Sequence, residues 1–273
     1  MGKAQWILVS VAILVGASLY FLGRTTTKEK EASVNATTVA KTTTIDFKAI
    51  EATFIQKNEV PDTLKIILEQ YKNNPKDTNV LLDLALAYRS MHQAHLAGHY
   101  FYELAEVQNN PIYFERAGNA FLNAQRENID TSISDNLLTF AVQSLEKAIA
   151  IEPNSVSAKM LLGTAYVESG LEPMKGVGLL KEVADADPNN LEAQILLGRF
   201  SLQSGQYDKA KERLDAVLKK EPNNTEAIYF LAFTEAELGN KKRALELIEL
   251  CKSLVNNPDF DKEIEHFVKE LKK

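Results

Sequence analysis

Residues 187–224, DPNNLEAQILLGRFSLQSGQYDKAKERLDAVLKKEPNN, form one unit of a pattern that recurs along the chain. Apolar residues recur at three- and four-residue steps on both sides of Gly205, which predicts two helices joined by a turn. The adjacent Leu197 and Gly198 place a bulky residue beside a small one, so that two helices can approach closely. A Pro-Asn step bounds the unit at each end, because proline is tolerated only in the first turn of a helix. The stretch therefore predicts a helical hairpin.

Prolines mark the ends of such units, at intervals of 36, 42, 35, 34 and 36 residues. A period of about 34 residues is typical of helix–turn–helix repeats, each of which buries its apolar face against the next repeat. We therefore expect an extended stack of hairpins instead of one closed core. The prolines are Pro75, Pro111, Pro153, Pro188, Pro222 and Pro258.

Three successive units carry matching residues at matching positions. Each has a turn glycine, which is Gly170, Gly205 or Gly239, and each has a leucine followed by glycine or alanine in its first helix. This pattern resembles the tetratricopeptide repeat (TPR) family. The resemblance implies an all-α, right-handed superhelical solenoid of helix hairpins. It also implies a protein that binds protein or peptide partners, is not an enzyme and needs no cofactor.

The resemblance extends over residues 45–258, in which 45–74 form a degenerate leading hairpin. A unit at 111–153 matches more loosely, and extra polar residues near Glu127–Ser134 predict a surface loop there. Residues 259–273 predict an amphipathic helix that caps the open end of the stack. The best-matching units are 76–110, 154–188, 189–222 and 223–258.

The first 44 residues have a different composition. Trp6–Gly23 is a continuous apolar run, close to the lower limit of about 17 residues for crossing a bilayer. We predict that residues 1–23 form an uncleaved membrane anchor and that the Thr- and Lys-rich residues 24–44 form a flexible linker. A cleaved signal peptide is the alternative, but the apolar run continues past Ala17, the only small residue suited to cleavage.

Two observations bear on the orientation of this anchor, and they point in opposite directions. Lys3 precedes the apolar run, whereas Arg24, Lys28 and Lys30 follow it, so the positive-inside rule alone places the repeats in the cytoplasm. An anchor so near the N-terminus, followed by a Thr-rich linker, is more typical of bacterial inner-membrane proteins with an exported domain. We therefore expect a single-pass protein of the bacterial inner membrane whose repeats face the periplasm.

Charge and cysteine content exclude several classes of function. Residues 45–273 carry 26 basic and 35 acidic side chains, a net charge of −9. Such a surface repels phosphate, so we expect no nucleic-acid partner. The single cysteine, Cys251, excludes an intrachain disulfide and a site with several thiolate ligands.

One group of titratable residues has the spacing of metal ligands. His95, His99 and Glu103 lie four residues apart, so on a helix they share one face. The group lacks the His-Glu-x-x-His order of a zinc hydrolase, and a polar helix rim with ordinary histidines is the simpler interpretation. We therefore predict no metal site and keep these three residues as the candidate ligands.

The first helix of each unit lines a concave groove in TPR proteins, and the resemblance implies a partner-binding surface there. Tyr229 and Phe233, four residues apart, would be its aromatic anchors. The alternative is that some of these side chains pack against the neighbouring hairpin or the capping helix. The groove positions carried over from the family are Met160, Thr164, Val167, Glu168, Glu192, Arg199, Leu202, Gln203, Glu226, Tyr229, Phe233 and Glu237.

These observations lead to three hypotheses of function. The first is a membrane-tethered TPR scaffold or adaptor that binds a protein or peptide in its groove, with residues 6–23 in the membrane. The second is a structural subunit that spaces a membrane complex or associates with itself as a homo-oligomer. The third, which has the least support, is a metal-dependent role at the face that carries His95 and His99.

Overall fold

The structure, a computed structural model, describes residues 45–126 and 131–272. All regular secondary structure in these ranges is α-helical, and none of these helices has both the length and the apolar character needed to cross a bilayer. The predicted anchor at 1–23 and the linker at 24–44 lie outside the described residues. The helices are α1 (Phe47–Lys57), α2 (Asp62–Asn73), α3 (Thr78–Ser90), α4 (Ala94–Gln108), α5 (Pro111–Arg126), α6 (Thr131–Ile151), α7 (Val156–Ser169), α8 (Pro173–Ala186), α9 (Leu191–Gln203), α10 (Tyr207–Lys220), α11 (Thr225–Glu237), α12 (Lys241–Val255) and α13 (Pro258–Leu271).

Four of the predicted hairpins are present as packed helix pairs in the described residues. α3 packs on α4, α5 on α6, α9 on α10 and α11 on α12. Contacts also join α5 to α7 and α9 to α11, so the first helices of successive hairpins lie beside each other. Within each unit, neighbouring hairpins thus bury apolar faces against each other, which is how a repeat protein is stabilised without a single closed core.

The described chain divides into two compact units, residues 45–180 and 181–272, called here the N-terminal and C-terminal units. Each unit has its own apolar core. The N-terminal core includes the buried rings of Tyr88, Phe101, Phe121 and Tyr166. The C-terminal core includes Leu214, Phe230, Leu231 and Ile248.

The repeat boundaries are formed by prolines and side-chain caps. Asn190 Oδ1 accepts a hydrogen bond from the Ala193 amide at 2.9 Å, and Asn224 Oδ1 accepts one from Ala227 at 3.0 Å. Each cap satisfies an amide that lacks a partner in the first turn of a helix, and so fixes where α9 and α11 begin. Pro111 and Pro258 are the first residues of α5 and α13, whereas Pro75, Pro153, Pro188 and Pro222 lie in turns between helices.

Glycine is required where two helices meet in the N-terminal unit. A Cβ atom on Gly176 would lie 2.4 Å from the carbonyl oxygen of Gly163, so the backbones of α7 and α8 are in direct contact. The turn glycines also behave as predicted, since φ is +67°, +75° and +83° at Gly170, Gly205 and Gly239. These φ values lie in the left-handed region, which favours glycine.

Two features differ from the simple repeat. The surface loop predicted near Glu127–Ser134 is helical at residues 131–134, because α6 already begins at Thr131, while residues 127–130 lie outside the described part. In addition, α1 packs mainly on α4 and not on α2, the helix with which it was predicted to form a leading hairpin. Its side chains contact rings on α3, α4, α5 and α6, well beyond the helix that follows it in sequence.

The last helix, α13, ends the C-terminal unit. Asn257 caps it through the amide of Asp259 at 2.9 Å, and Pro258 occupies its first turn. Its buried side chains recur at helical spacing on one face, as predicted from the sequence. They are Phe260, Ile264, Phe267 and Leu271.

Candidate partner-binding surfaces

The two aromatic residues predicted to anchor a partner are buried by the chain itself. Tyr229 is 2% exposed and Phe233 is 8% exposed. The ring of Phe233 stacks on Phe267 of α13 at a centroid distance of 3.9 Å, and Tyr229 lies 6.0 Å from the ring of Phe260. The expectation that these two side chains face solvent is therefore wrong. They are part of the surface of α11 against which α13 packs.

The physical reason is that α13 has an apolar face of its own to bury. Two of its rings, Phe260 and Phe267, are seven residues apart and therefore project from the same side of the helix. Aromatic pairs of this kind add about 0.5–1.5 kcal/mol beyond the burial of their area. The surface of α11 thus already binds an amphipathic helix with aromatic anchors, and in this structure that helix is α13.

Replacing Phe267 by Leu is expected to weaken the docking of α13 by about 1 kcal/mol, because leucine keeps the apolar contact but loses the ring stack. Hydrogen exchange of the α13 amides measures this change. Phe233→Leu and the variant with both substitutions complete a double-mutant cycle. The interaction energy between the two side chains, measured by this cycle, should also be about 1 kcal/mol. His266→Ala, at an exposed position of the same helix, is the control. Additive effects at Phe233 and Phe267 would contradict this packing.

The other groove positions of the C-terminal unit differ in exposure. Leu202 is buried at 6% exposure, so it belongs to the core and is not available to a partner. Glu192 and Gln203 on α9 are exposed. The positions that are half-buried are Arg199, whose guanidinium lies 4.7 Å from the ring centroid of Phe200, and Glu226 and Glu237 on α11.

The groove positions on α7, in the N-terminal unit, divide in the same way. Met160 and Thr164 are buried, and the Thr164 hydroxyl donates to the carbonyl of Met160 at 3.0 Å. Val167 and Glu168 are half-buried. A partner could therefore reach Val167 and Glu168, whereas Met160 and Thr164 serve packing within the unit.

The C-terminal unit contains a buried carboxylate that the sequence did not reveal. Glu235 is 2% exposed and accepts hydrogen bonds from Lys211 of α10 and, at 2.7 Å, from the side-chain amide of Asn240. Burial alone would raise the pKa of Glu235, but these two donors outweigh it and the pKa lies below its ordinary value. Glu235 thus lies on the buried face of α11, at a position where the pattern of that helix would otherwise place an apolar residue.

The candidate metal ligands on α4 differ in their surroundings. His95 is 8% exposed, burial lowers its pKa, and its Nδ1 atom has no hydrogen-bond partner. His99 Nε2 lies 3.3 Å from Glu103 Oε1, and Tyr71 donates to the other oxygen of Glu103 at 2.7 Å. Among residues 45–126 and 131–272, no group of three histidine, cysteine or acidic side chains is arranged to hold a metal ion.

His99 instead helps to seat α1. Its ring stacks on Phe47 at a centroid distance of 4.7 Å with 13° between the planes. Phe121 of α5 and Phe140 of α6 lie 5.8 and 5.5 Å from the same phenylalanine. Phe47 thus lies in a pocket of three rings, supplied by three helices.

A carboxylate of α1 lies beside this pocket. Glu51 Oε1 accepts hydrogen bonds from the hydroxyls of Tyr88 at 2.5 Å and of Tyr100 at 2.7 Å. Burial raises the pKa of both tyrosines, and the nearby charge and hydrogen bonds of Glu51 raise it further, so both hydroxyls remain protonated donors. The two rings stack with 3° between their planes at 5.7 Å, which aligns the two hydroxyls on one acceptor.

Acidification is expected to loosen α1. Burial lowers the pKa of His99 below its ordinary value of 6.5, and Lys48 adds to this effect, while Glu103 and Glu51 oppose it without reversing it. The hydroxyl of Tyr71, bonded to Glu103, completes the polar groups around this ring. The neutral imidazole is therefore the form that docking favours. Docking is complete above about pH 6.5 and weakens as the pH falls through the lower pKa of the docked state.

Hydrogen exchange of the α1 amides at pH 7 and pH 5.5, corrected for intrinsic rates, measures this effect. Protection should fall by at most about tenfold per pH unit. In His99→Asn, which cannot titrate, the additional loss of protection at pH 5.5 should vanish. Equal pH dependence in both proteins would contradict this role for His99.

Comparison with known proteins identifies the repeats in part of the chain. Residues 176–223 and 202–252 match the family model of the tetratricopeptide repeat. The TPR repeats predicted from the sequence are therefore confirmed in this region. No curated protein sequence matches the chain.

Solved structures share the fold at low sequence identity. MamA (41-end) from Desulfovibrio magneticus RS-1 superposes with a TM-score of 0.52 at 19% identity, over 67% of this chain and 97% of MamA. A double mutant of RS-1 MamA gives a TM-score of 0.51 at 19% identity, over 65% and 93% of the two chains. YrrB, a TPR protein with an unusual peptide-binding site, gives 0.47 at 18% identity, over 73% and 97%. The described residues thus have an all-α, TPR-like helical architecture within each unit.

Proposed function

We propose that this protein is a membrane-tethered TPR scaffold that binds a protein or peptide partner on its helical surfaces. The observation that carries the proposal is that the helical repeats already bind two helices of the chain itself through aromatic anchors. In the C-terminal unit α11 receives the rings of α13, and in the N-terminal unit α4, α5 and α6 receive Phe47 of α1. Surfaces that bind amphipathic helices of the same chain through apolar and aromatic contacts can bind such helices of another protein through the same contacts.

Accessible groove positions provide a further surface for the partner. In the C-terminal unit these are Glu192 and Gln203, with Arg199, Glu226 and Glu237 half-buried beside them along α9 and α11. Three of these five positions are acidic, and the repeat region as a whole is acidic. We infer a partner segment with basic side chains around an apolar anchor, since opposite charge favours encounter and correct orientation.

A photocrosslinking amino acid at position 203, introduced into living cells, tests this function. Gln203 is exposed on α9 and its replacement should not disturb the core. Position 212, at an exposed glutamate on α10, serves as the matched control on the second helix of the same hairpin. A discrete partner captured from position 203 and not from 212 supports the scaffold. Crosslinks to other copies of this chain alone would replace it with the self-associating structural subunit.

The tether is the second part of the proposal. Residues 6–23 would anchor the chain, and residues 24–44 would set how far the repeats reach from the membrane, which raises the local concentration of repeats and partner. The repeats would face the periplasm of a bacterial inner membrane. This part rests on sequence composition, because these residues lie outside the described structure.

Extraction of membranes with alkaline carbonate tests the anchor, and protease treatment of spheroplasts tests the orientation. The full-length chain should resist extraction, and a chain that begins at residue 45 should not sediment with membranes. Protease added outside spheroplasts should digest the repeats if they face the periplasm. A full-length chain released by carbonate would refute the tether while leaving the binding function open.

A further inference from the structure

We propose that the surface beneath α1 is a second binding site, which accepts an amphipathic helix carrying Phe and Glu four residues apart, and that α1 occupies it until a partner helix of this kind replaces it. This inference rests on the proposed scaffold function and names one of its sites and the chemistry of its ligand. The site lies wholly within the N-terminal unit, on α3, α4, α5 and α6.

The polar half of the site is preformed by two tyrosine hydroxyls. Tyr88 is fully buried and Tyr100 is 3% exposed, yet both hydroxyls donate to Glu51 of α1. The two rings stack on each other and both belong to the repeats, so the direction of the two donors is held by contacts that do not involve α1. A buried donor without an acceptor is unfavourable, so the site requires a carboxylate or water in this place.

The apolar half is the three-ring pocket that holds Phe47. Glu103 fixes the ring of His99 on one side, and Tyr71 fixes Glu103 in turn. The side chains that form the pocket therefore belong to the repeats, and α1 contributes only the ring that fills it. A phenylalanine one helical turn before the carboxylate satisfies both halves at once, since residues four apart lie on one helix face.

α1 itself is weakly held. It has 11 residues, of which Phe47 alone is buried, while Ile50, Phe54 and Ile55 are partly buried against the N-terminal core. A helix of this length is marginal in water without tertiary contacts, because nucleating it costs more than its few hydrogen bonds return. Local opening of such an element requires much less free energy than global unfolding. A partner helix that makes the same two contacts, with additional contacts of its own, can therefore replace α1.

The occupant to which the geometry points is a helix of another protein. Glu51 and Phe47 show which side chains the site binds, and the position of Glu51 shows that the site accepts an acidic group near His99. A tethered α1 competes at an effective concentration on the order of millimolar, so a partner needs either higher affinity or a raised local concentration. Tethering to a membrane that also holds the partner would supply the latter.

Binding of a labelled peptide with the sequence of residues 45–58 tests the site directly. The receptor is the full-length chain carrying Phe47→Ala and Glu51→Gln, which removes both anchors of α1 and leaves the repeats unchanged. By fluorescence anisotropy, this variant should bind the peptide at least about tenfold more tightly than the wild-type chain, in which tethered α1 competes. Thr53→Ala, at an exposed position of α1, should bind as weakly as wild type.

Changes in the peptide and in the receptor then identify the contacts. A peptide with Phe47→Ala or Glu51→Gln should lose at least about tenfold in affinity for the released receptor, as should the receptor after Tyr88→Phe and Tyr100→Phe. If the receptor with both anchors removed fails to fold, Phe47→Ala alone provides the released state. Equal binding of the three peptides, or no gain on release of α1, overturns the proposal.

Two further outcomes separate this site from the general function. Crosslinking of a partner from position 203 without peptide binding beneath α1 would refute this inference and leave the scaffold intact. A wild-type dimer linked through α1 of one copy on Phe140 of the other would also refute it, because a second copy would then be the occupant. Sedimentation over a range of concentrations, with disulfide trapping between positions 47 and 140, detects that dimer.

Discussion

Gly176→Ala is expected to reduce the free energy of unfolding of the N-terminal unit by about 3 kcal/mol or more. A methyl group at this position would lie 2.4 Å from the carbonyl oxygen of Gly163 and 2.9 Å from Cγ2 of Val167. The nearer atom belongs to the backbone of a facing helix, so no side-chain rotation can relieve the clash. Overpacking of a core by a single methylene costs about 1–3 kcal/mol, and displacement of a backbone costs more.

The chain offers a matched control two residues away in the same helix. A Cβ atom at Gly178 would have no neighbour within 4 Å, so Gly178→Ala changes the same helix without a new contact. Because alanine has the higher helix propensity, this variant should be about 0.5–1 kcal/mol more stable than wild type. Denaturant unfolding of both variants measures the difference. Similar stability of the two would show that α7 and α8 do not meet at Gly176.

Lys211→Met is expected to destabilise the C-terminal unit by about 3 kcal/mol. The substitution leaves the carboxylate of Glu235, which is 2% exposed, with the hydrogen bond from Asn240 on its second oxygen. Removing one partner of a buried ion pair costs about 3–5 kcal/mol, because the remaining charge has lost its compensation. The lower end of this range applies since Lys211 is itself 38% exposed, so that water can reach the site.

The effect should also depend on pH in a definite direction. In the wild type the pKa of Glu235 is lowered, so its contribution to stability is present above the ordinary carboxyl pKa of 4.5 and is lost as the pH falls through the folded value. In Lys211→Met the pKa of Glu235 loses the lowering effect of the lysine and therefore lies above its wild-type value, so the variant is least stable relative to wild type at neutral pH. The difference between the two proteins should shrink towards pH 4.

Two variants complete this test. Lys209→Met, at an exposed lysine of the same helix, should change the free energy of unfolding by no more than about 0.5 kcal/mol. Adding Glu235→Gln to Lys211→Met removes the uncompensated charge and should restore a large part of the lost stability. Thermal unfolding at pH 7 and pH 4.5 measures all three proteins. A double variant as unstable as Lys211→Met would mean that charge burial is not the cause.

Much of the architecture follows from local signals in the sequence. Gly170, Gly205 and Gly239 mark turns because their backbone conformation is strained for other residues, and Asn190 and Asn224 each cap a helix through the amide three residues away. These effects operate within one hairpin. They are therefore visible in the sequence without knowledge of the tertiary structure.

Individual site residues were harder to predict. Tyr229 and Phe233 occupy groove positions in the TPR pattern, but their exposure depends on whether α13 covers them. The sequence periodicity of α13 shows that the helix has an apolar face. It does not show against which surface that face packs. Glu235 was missed for the opposite reason, because its partner Lys211 lies 24 residues earlier and one helix away.

The sequence by itself determined the repeat unit, the helical class and the positions of the turns, because each depends on residues close together in the chain. The tertiary structure alone decided which surfaces are free. It placed Phe47 among His99, Phe121 and Phe140, brought Glu51 to two tyrosines, and closed α11 beneath α13. Burial is a property of residues that meet across long sequence separations, and an amphipathic pattern specifies an apolar face without specifying its partner.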